Sequence, residues 1–347
     1  MPLQEPILTD SAQVLLIGNG PGQAPQMEDA LCIRFNGRQQ LSGTRTMTVF
    51  NGKLAREYLA ATAKEPSIFA SGTSDPIRAS GSLGTHGIPN ASEWQFGRQQ
   101  ADVAMLRERH FALRPDGAST ADVARLADIT DVAATLEARL GAWPSSGLAV
   151  LGCLAGQDVK VSVCQMNLLP SLIRSPELSG RTPLAAAFHN WLGERRLAMA
   201  WLLGTSTGDT PIDWPGFWLP APSQPMTTEP SLPVEALLHV THCSKAEGQK
   251  LWQQLASSNA ESWLESLTNS PDAGTCHQPE ALLAAEKLFY LPRNTRETAL
   301  WWLYDNEASV WVSQVHYKLA WLWQTLALRS RGLVVPDSAR AWPGSPR

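Results

Sequence analysis

A chain of 347 residues can bury a sizeable core and is long for one domain, so a main domain with a smaller appendage is expected. With 44% hydrophobic and 17% charged residues it reads as globular, and a net charge of -4 offers no general attraction to nucleic acid. A phosphate ligand would have to be met locally. No apolar run approaches the roughly 20 residues of a membrane-spanning helix, which leaves peripheral contact as the membrane option. Cys32, Cys153, Cys164, Cys243 and Cys276 are widely spaced, and the opening MPLQEPILTD lacks the basic and apolar stretches of a secretory leader. Reduced thiols and a cytoplasmic location, at most peripheral to the inner membrane, are expected.

Residues 14–17, VLLI, form a short continuous apolar run, the pattern of a strand buried on both faces. It enters a turn of Gly18, Asn19, Gly20, Pro21 and Gly22. ALCIRF (30–35) ends in Asn36-Gly37 and TMTVF (46–50) in Asn51-Gly52, so three successive strands each stop at an asparagine. NGKLAREYLAA predicts a helix, and the Gly/Ser/Thr/Pro-rich stretch from Ser71 to Asn90 a mobile loop. Residues 120–140 have helical spacing. Pro144-Ser145-Ser146-Gly147 precedes LAVLGCLAG, a buried helix closed by Gly156, and DVKVSVCQM alternates as a strand. FHNWLGERRLAMAWLLG predicts a helix running into another strand. On it Glu194, Arg195 and Arg196 read as a solvated face with local ion pairs, the alternative being that Glu194 orients a neighbouring base. A proline-dense connector, 211–233, then separates residues 1–210 from a helical, Trp-rich region, 234–330, and a flexible tail, 331–347. The expected architecture is α/β, a Rossmann-like, mostly parallel sheet covered by helices, with an all-α C-terminal extension.

A glycine-rich turn after a first strand can aim backbone N–H groups at a phosphate at the start of the next helix. A dinucleotide site needs G-x-G-x-x-G and, about 20 residues on, an acidic group for the ribose. Here Gln23 takes the third glycine's slot and the downstream region offers Arg38, Gln39 and Gln40. No Gly-Lys-Ser/Thr follows either, which excludes a P-loop. What remains is a mononucleotide cradle, with Asn19, Asn36 and Asn51 on one edge because parallel strands end on one side of their sheet. A plain strand connection is the competing reading.

Taken in order, LLIGNGPG, CIRFNG, TVFNG, PSSGLAVLGCLA and FHNW resemble the landmarks of the bacterial sialyltransferases of glycosyltransferase family 42 over residues 12–205. Flagellin-glycosylation proteins share related patterns. The resemblance implies that Gly18, Asn19 and Gly20 contact the nucleotide of a CMP-sugar, with Asn36 and Asn51 near its phosphate or sugar. Ser145, Ser146 and Gly147 would hold the cytidine or the donor sugar, and His189 would be the general base. It implies inverting transfer of a sialic or related nonulosonic acid to a glycan or glycolipid hydroxyl, with no metal and no cofactor besides the donor. An imidazole suits the task, since its pKa lies near operating pH. Self-association is left open.

Two departures stand out. Gly22 replaces the family's serine after the proline. The family's leaving-group tyrosines fall between the T/S-S-G motif and the histidine, whereas Tyr58, Tyr290, Tyr304 and Tyr317 all lie outside that interval. Ser171 and Arg174 are the substitutes suggested by position, and a non-catalytic nucleotide-sugar or glycan binder is the rival reading. Ser146 with His189 does not make a hydrolase, since PSSGL is not the G-x-S-x-G elbow. His239, His242 and Cys243, with Cys276 and His277, lack the paired spacing of a zinc site. Trp301, Trp302, Trp311, Trp321 and Trp323 read as core or helix interface, with sugar stacking or a membrane face as the sharper alternative.

Overall fold

The computed structural model describes residues 12–27, 29–36, 45–62, 109–173, 184, 189–204, 211–222, 233–240, 243–269, 277–289 and 297–334. Arg174, His242, Cys276, the stretch 71–90 and the tail from 335 onwards lie outside them. A six-stranded sheet organises the first part. Its strands are β1 (Ala12–Ile17), β2 (Leu31–Phe35), β3 (Thr46–Asn51), β4 (Phe111–Asp116), β5 (Val159–Cys164) and β6 (Ile212–Asp213), in the order β4-β3-β2-β1-β5-β6. All neighbours are parallel except β3 and β4. Pro115 is tolerated in β4 because that strand lies at the edge, where a missing N–H leaves no ladder bond unmade.

The pleat divides β1 between two faces. Val14 and Leu16 join a large apolar core with α2 (Thr120–Ala124), α3 (Ile129–Leu140), α4 (Ser146–Leu154) and α5 (Trp191–Leu202). Leu15 and Ile17 face the other way, into a smaller cluster with Cys32, Cys164, Ala24 and Met27. Beside it α1 (Lys53–Thr62) lays Ala55 and Tyr58 against Phe50 and Ala112. Helix ends follow from local chemistry. Ser145 caps α4 through its hydroxyl, Asn190 caps α5 by accepting the Gly193 N–H at 3.0 Å, and Gly141 closes α3 with a φ of 69°.

The second part is helical: α6 (Pro233–Val240), α7 (Lys245–Ser257), α8 (Ala260–Asn269), α9 (His277–Glu286), 3-10 turns at Lys287–Phe289 and Glu297–Tyr304, and α10 (Asn306–Arg329). Trp252, Trp263, Trp302 and Trp321 are buried in its core. No helix among the described residues is long and apolar enough to cross a membrane.

Residues 120–140, read as helical, form two helices separated by a turn. Three expectations need correction. Among the described residues no strand directly follows α5, and the next one, β6, starts within the supposed connector. That connector is not a bare linker, since Trp214 and Phe217 enter the sheet core and Leu219 the helical one. The β1–β2 crossover holds no helix among its described residues, so the turn after β1 has no helix dipole behind it.

Candidate functional site at the carboxyl edge of the sheet

The glycine turn after β1 is bound to β5. The Gly18 N–H donates to the Cys164 carbonyl at 2.9 Å and the Gly20 N–H to the Gln165 carbonyl at 2.8 Å. A β-carbon on Gly18 would sit 2.1 Å from the Gln165 oxygen, and one on Gly20 2.7 Å from it. Close approach of two strand ends therefore accounts for both glycines. Their N–H groups are spent inside the fold, which removes them from the expected phosphate cradle. Asn19 stands exposed on this turn.

The other two strand-end asparagines meet. Asn36 adopts a φ of 61°, a left-handed conformation asparagine tolerates, and its Oδ1 accepts the Asn51 N–H at 3.3 Å. Asn51 in turn accepts the Trp143 indole N–H at 3.1 Å and donates to the Pro144 carbonyl at 3.4 Å. The end of β3 is thereby tied to the segment that leads into α4.

From the opposite side the same segment meets the start of α5. His189 Nδ1 lies 3.1 Å from the Trp143 carbonyl oxygen. A carbonyl can only accept, so Nδ1 carries the hydrogen and the lone pair of the neutral ring sits on Nε2. Trp191 packs edge-on against the imidazole at 5.0 Å between ring centres. Glu194, one turn into α5, is fully buried and accepts from the Ser145 N–H at 2.7 Å and from the Ser145 hydroxyl at 2.5 Å. Its Oε1 is also 3.8 Å from His189 Nδ1. Burial pushes the Glu194 pKa up to about 7, against the two Ser145 bonds, which favour the carboxylate. Glu194 thus holds a proton loosely at neutral pH, beside an imidazole.

Of the residues marked in the serine motif, Ser145 alone joins this polar cluster. Ser146 is buried, and Gly147 faces Met166, whose Sδ would lie 2.2 Å from a β-carbon at that position. Packing accounts for that glycine, and a direct ligand role for the pair loses its support. Ser171 is exposed beyond β5. The solvated face expected for Glu194–Arg196 is overturned. Arg195, 4% exposed, donates to the Asn167 carbonyl at 2.5 Å, to the Phe217 carbonyl and to Gln324 Oε1 at 3.3 Å, and its guanidinium lies over the Phe217 ring. Burial lowers its pKa to about 9, so it stays charged at neutral pH. Arg196 pairs with Glu286 of α9 at 3.3 Å. A helical run with three adjacent charges reads as a wet face; only the packing of α10 and the 214–219 segment over α5 buries it.

The helical part holds a separate open groove of about 980 Å³ between α7, α10 and the Pro220–Pro222 segment. At its floor the Lys318 ammonium, 3% exposed, donates to the carbonyls of Leu255, Ala256 and Ser258 at 2.9, 2.5 and 2.7 Å. It thereby closes the C-terminus of α7.

Set against protein-family models, curated proteins and solved structures, the chain matches none.

Proposed function

We propose that the protein is an inverting glycosyltransferase that moves a sialic or related nonulosonic acid from a CMP donor to a glycan hydroxyl. The observation that carries this reading is the convergence of Asn51, Ser145, His189 and Glu194 on one segment at the carboxyl edge of a parallel sheet. Ligands of open α/β sheets bind at that edge, and the parallel strand order β3-β2-β1-β5-β6 supports reading the sheet as Rossmann-like. The ordered motifs shared with family 42 sialyltransferases supply the substrate class.

The chemistry is a single displacement. The acceptor oxygen attacks the anomeric carbon, the bond to the CMP phosphate breaks and CMP leaves with its electron pair. The hydroxyl proton goes to His189 Nε2, the ring atom bearing the lone pair. Nδ1–H stays on the Trp143 carbonyl, and the Glu194 carboxylate steadies the imidazolium that forms. Asn51 and Ser145, whose side chains are engaged by Trp143, Pro144 and Glu194, fix the segment that holds the base, so positioning rather than covalent chemistry does most of the work. Ser171 and Arg174 remain candidates for the departing phosphate, and no residue among those named replaces the family's tyrosines by geometry.

The test combines turnover with binding. Wild type is expected to hydrolyse or transfer CMP-N-acetylneuraminic acid. H189A should lose about 10²–10⁴-fold in kcat while keeping CMP affinity by calorimetry. Turnover equal to wild type in H189A would refute the base. CMP binding without turnover in wild type would select the rival reading, a nucleotide-sugar binding protein, which the missing leaving-group tyrosines favour. Absence of CMP binding would refute both.

A further inference from the structure

The groove between α7 and α10 stands apart from the His189 cluster, and its chemistry is specific. Trp311 and Tyr317 from α10 supply half-buried aromatic surface, while Gln253 and Gln254 of α7 and Gln314 of α10 bring exposed side-chain amides to the same space. Lys250 adds an exposed ammonium, and none of the described lining residues is acidic. Aromatic faces bury the C–H face of a pyranose, and amides both donate and accept, as the paired roles of sugar hydroxyls demand. A polyproline ligand would need donors alone, and the natural one, the Tyr317 hydroxyl, already donates to the Pro220 carbonyl at 3.1 Å. Glu247, one turn before Lys250, offsets part of the Lys250 charge. The described lining itself holds two lysines, Lys250 and Lys318, and no carboxylate, which favours a ligand that carries negative charge.

We infer that this groove binds an acidic oligosaccharide, a chain of pyranoses bearing carboxylates. The role of such a site, capture of the glycan acceptor away from the reacting centre, rests on the transferase reading; the binding itself does not. The groove is also tied to the reacting edge. Tyr317 holds Pro220, Gln324 bonds both the N–H and the carbonyl of Leu219 at 2.9 and 2.7 Å, and Arg195 holds the Phe217 carbonyl. A continuous strap thus runs from the groove wall to the residue next to Glu194.

Calorimetric titration of the full chain with hyaluronan tetrasaccharide, a carboxylated probe, and with chitotetraose, a neutral one, tests the assignment. Saturable binding of the carboxylated probe is expected, at least about fivefold tighter than the neutral one. Trp311→Ala should weaken both by about tenfold. Lys250→Gln and Gln314→Glu, both at exposed positions that leave the packing intact, should weaken only the carboxylated probe. H189A should bind as wild type does, which separates this site from the transferase reading. No saturable binding of either probe would overturn the inference. So would unchanged affinity in Lys250→Gln and Gln314→Glu, or displacement of the probe by decaproline or by anionic vesicles.

Discussion

Glu194 and Lys318 are both buried charged side chains, each near a helix terminus, yet their surroundings assign them opposite roles. Lys318 lies among three carbonyl oxygens that have no helical partner of their own, so its charge completes the end of α7. Among the described residues, Glu194 has the hydroxyl and N–H of Ser145 in hydrogen-bond reach, with an imidazole just beyond, and burial brings its pKa to about 7. Burial alone therefore does not mark a reactive group. Burial lowers the Lys318 pKa to about 8 as well, so the kind of partner decides: fixed carbonyls can only accept from the ammonium, whereas the imidazole beside Glu194 can itself gain or lose a proton.

Lys318→Met gives the largest expected effect on stability. It removes the ammonium from the Leu255, Ala256 and Ser258 carbonyls, of which Leu255 keeps the Ser258 hydroxyl at 2.7 Å, and should cost about 3 kcal/mol in urea unfolding, without altering the CMP affinity of the molecules that remain folded. A loss under about 1 kcal/mol would mean that water already serves the end of α7.

Gly18→Ala should cost somewhat less, about 2–3 kcal/mol, because the new methyl group meets the Gln165 carbonyl and the strand ends must part. Unchanged stability with lost CMP binding would restore the turn as a ligand cradle and undo the separation drawn between packing and site.

The pH dependence of stability sharpens the contrast further. In the native state Glu194 keeps its proton up to about pH 7, whereas an unfolded glutamate releases it near 4.5. The native state binds more protons in that window, so this group makes stability fall as pH rises from 4.5 to 7. Glu194→Gln should flatten that fall, a change of a few kcal/mol across the window, read as Tm against pH.

His316 works in the opposite sense. It is buried against Phe289, and burial drags its pKa from 6.5 to about 3, so below pH 6.5 the unfolded chain binds the extra proton and stability falls as pH drops. His316→Leu should soften the acid limb by at least as much as the Glu194 change, since the shift from 6.5 to about 3 is the larger of the two; any loss of packing only lowers the curve uniformly. Identical profiles for both variants and wild type would show that neither group titrates abnormally.

Much of the frame was legible in the chain itself. The continuous run VLLI, the alternation of DVKVSVC and the Ser145-capped apolar helix are local patterns, and each gave the element it predicts. Strand β4 is not legible in FALRPD, which carries a proline and two charges and pairs antiparallel at the edge, where periodicity is weak. The asparagines ending β2 and β3 were visible as candidates and do meet, whereas the glycines after β1 were misread. A glycine held by close approach and one that cradles a phosphate look alike in a sequence.

What the sequence determined alone was the periodic burial of strands and helices, since the side chains that specify it lie within a few residues of one another. Which polar groups would be buried, and beside what, was decided by tertiary structure. Glu194 became a proton-holding group because Ser145, 49 residues away, and the segment around Phe217 close over it and its neighbour Arg195. The desolvation that shifts a pKa is a property of everything packed around a group, and no stretch of sequence around Glu194 contains it.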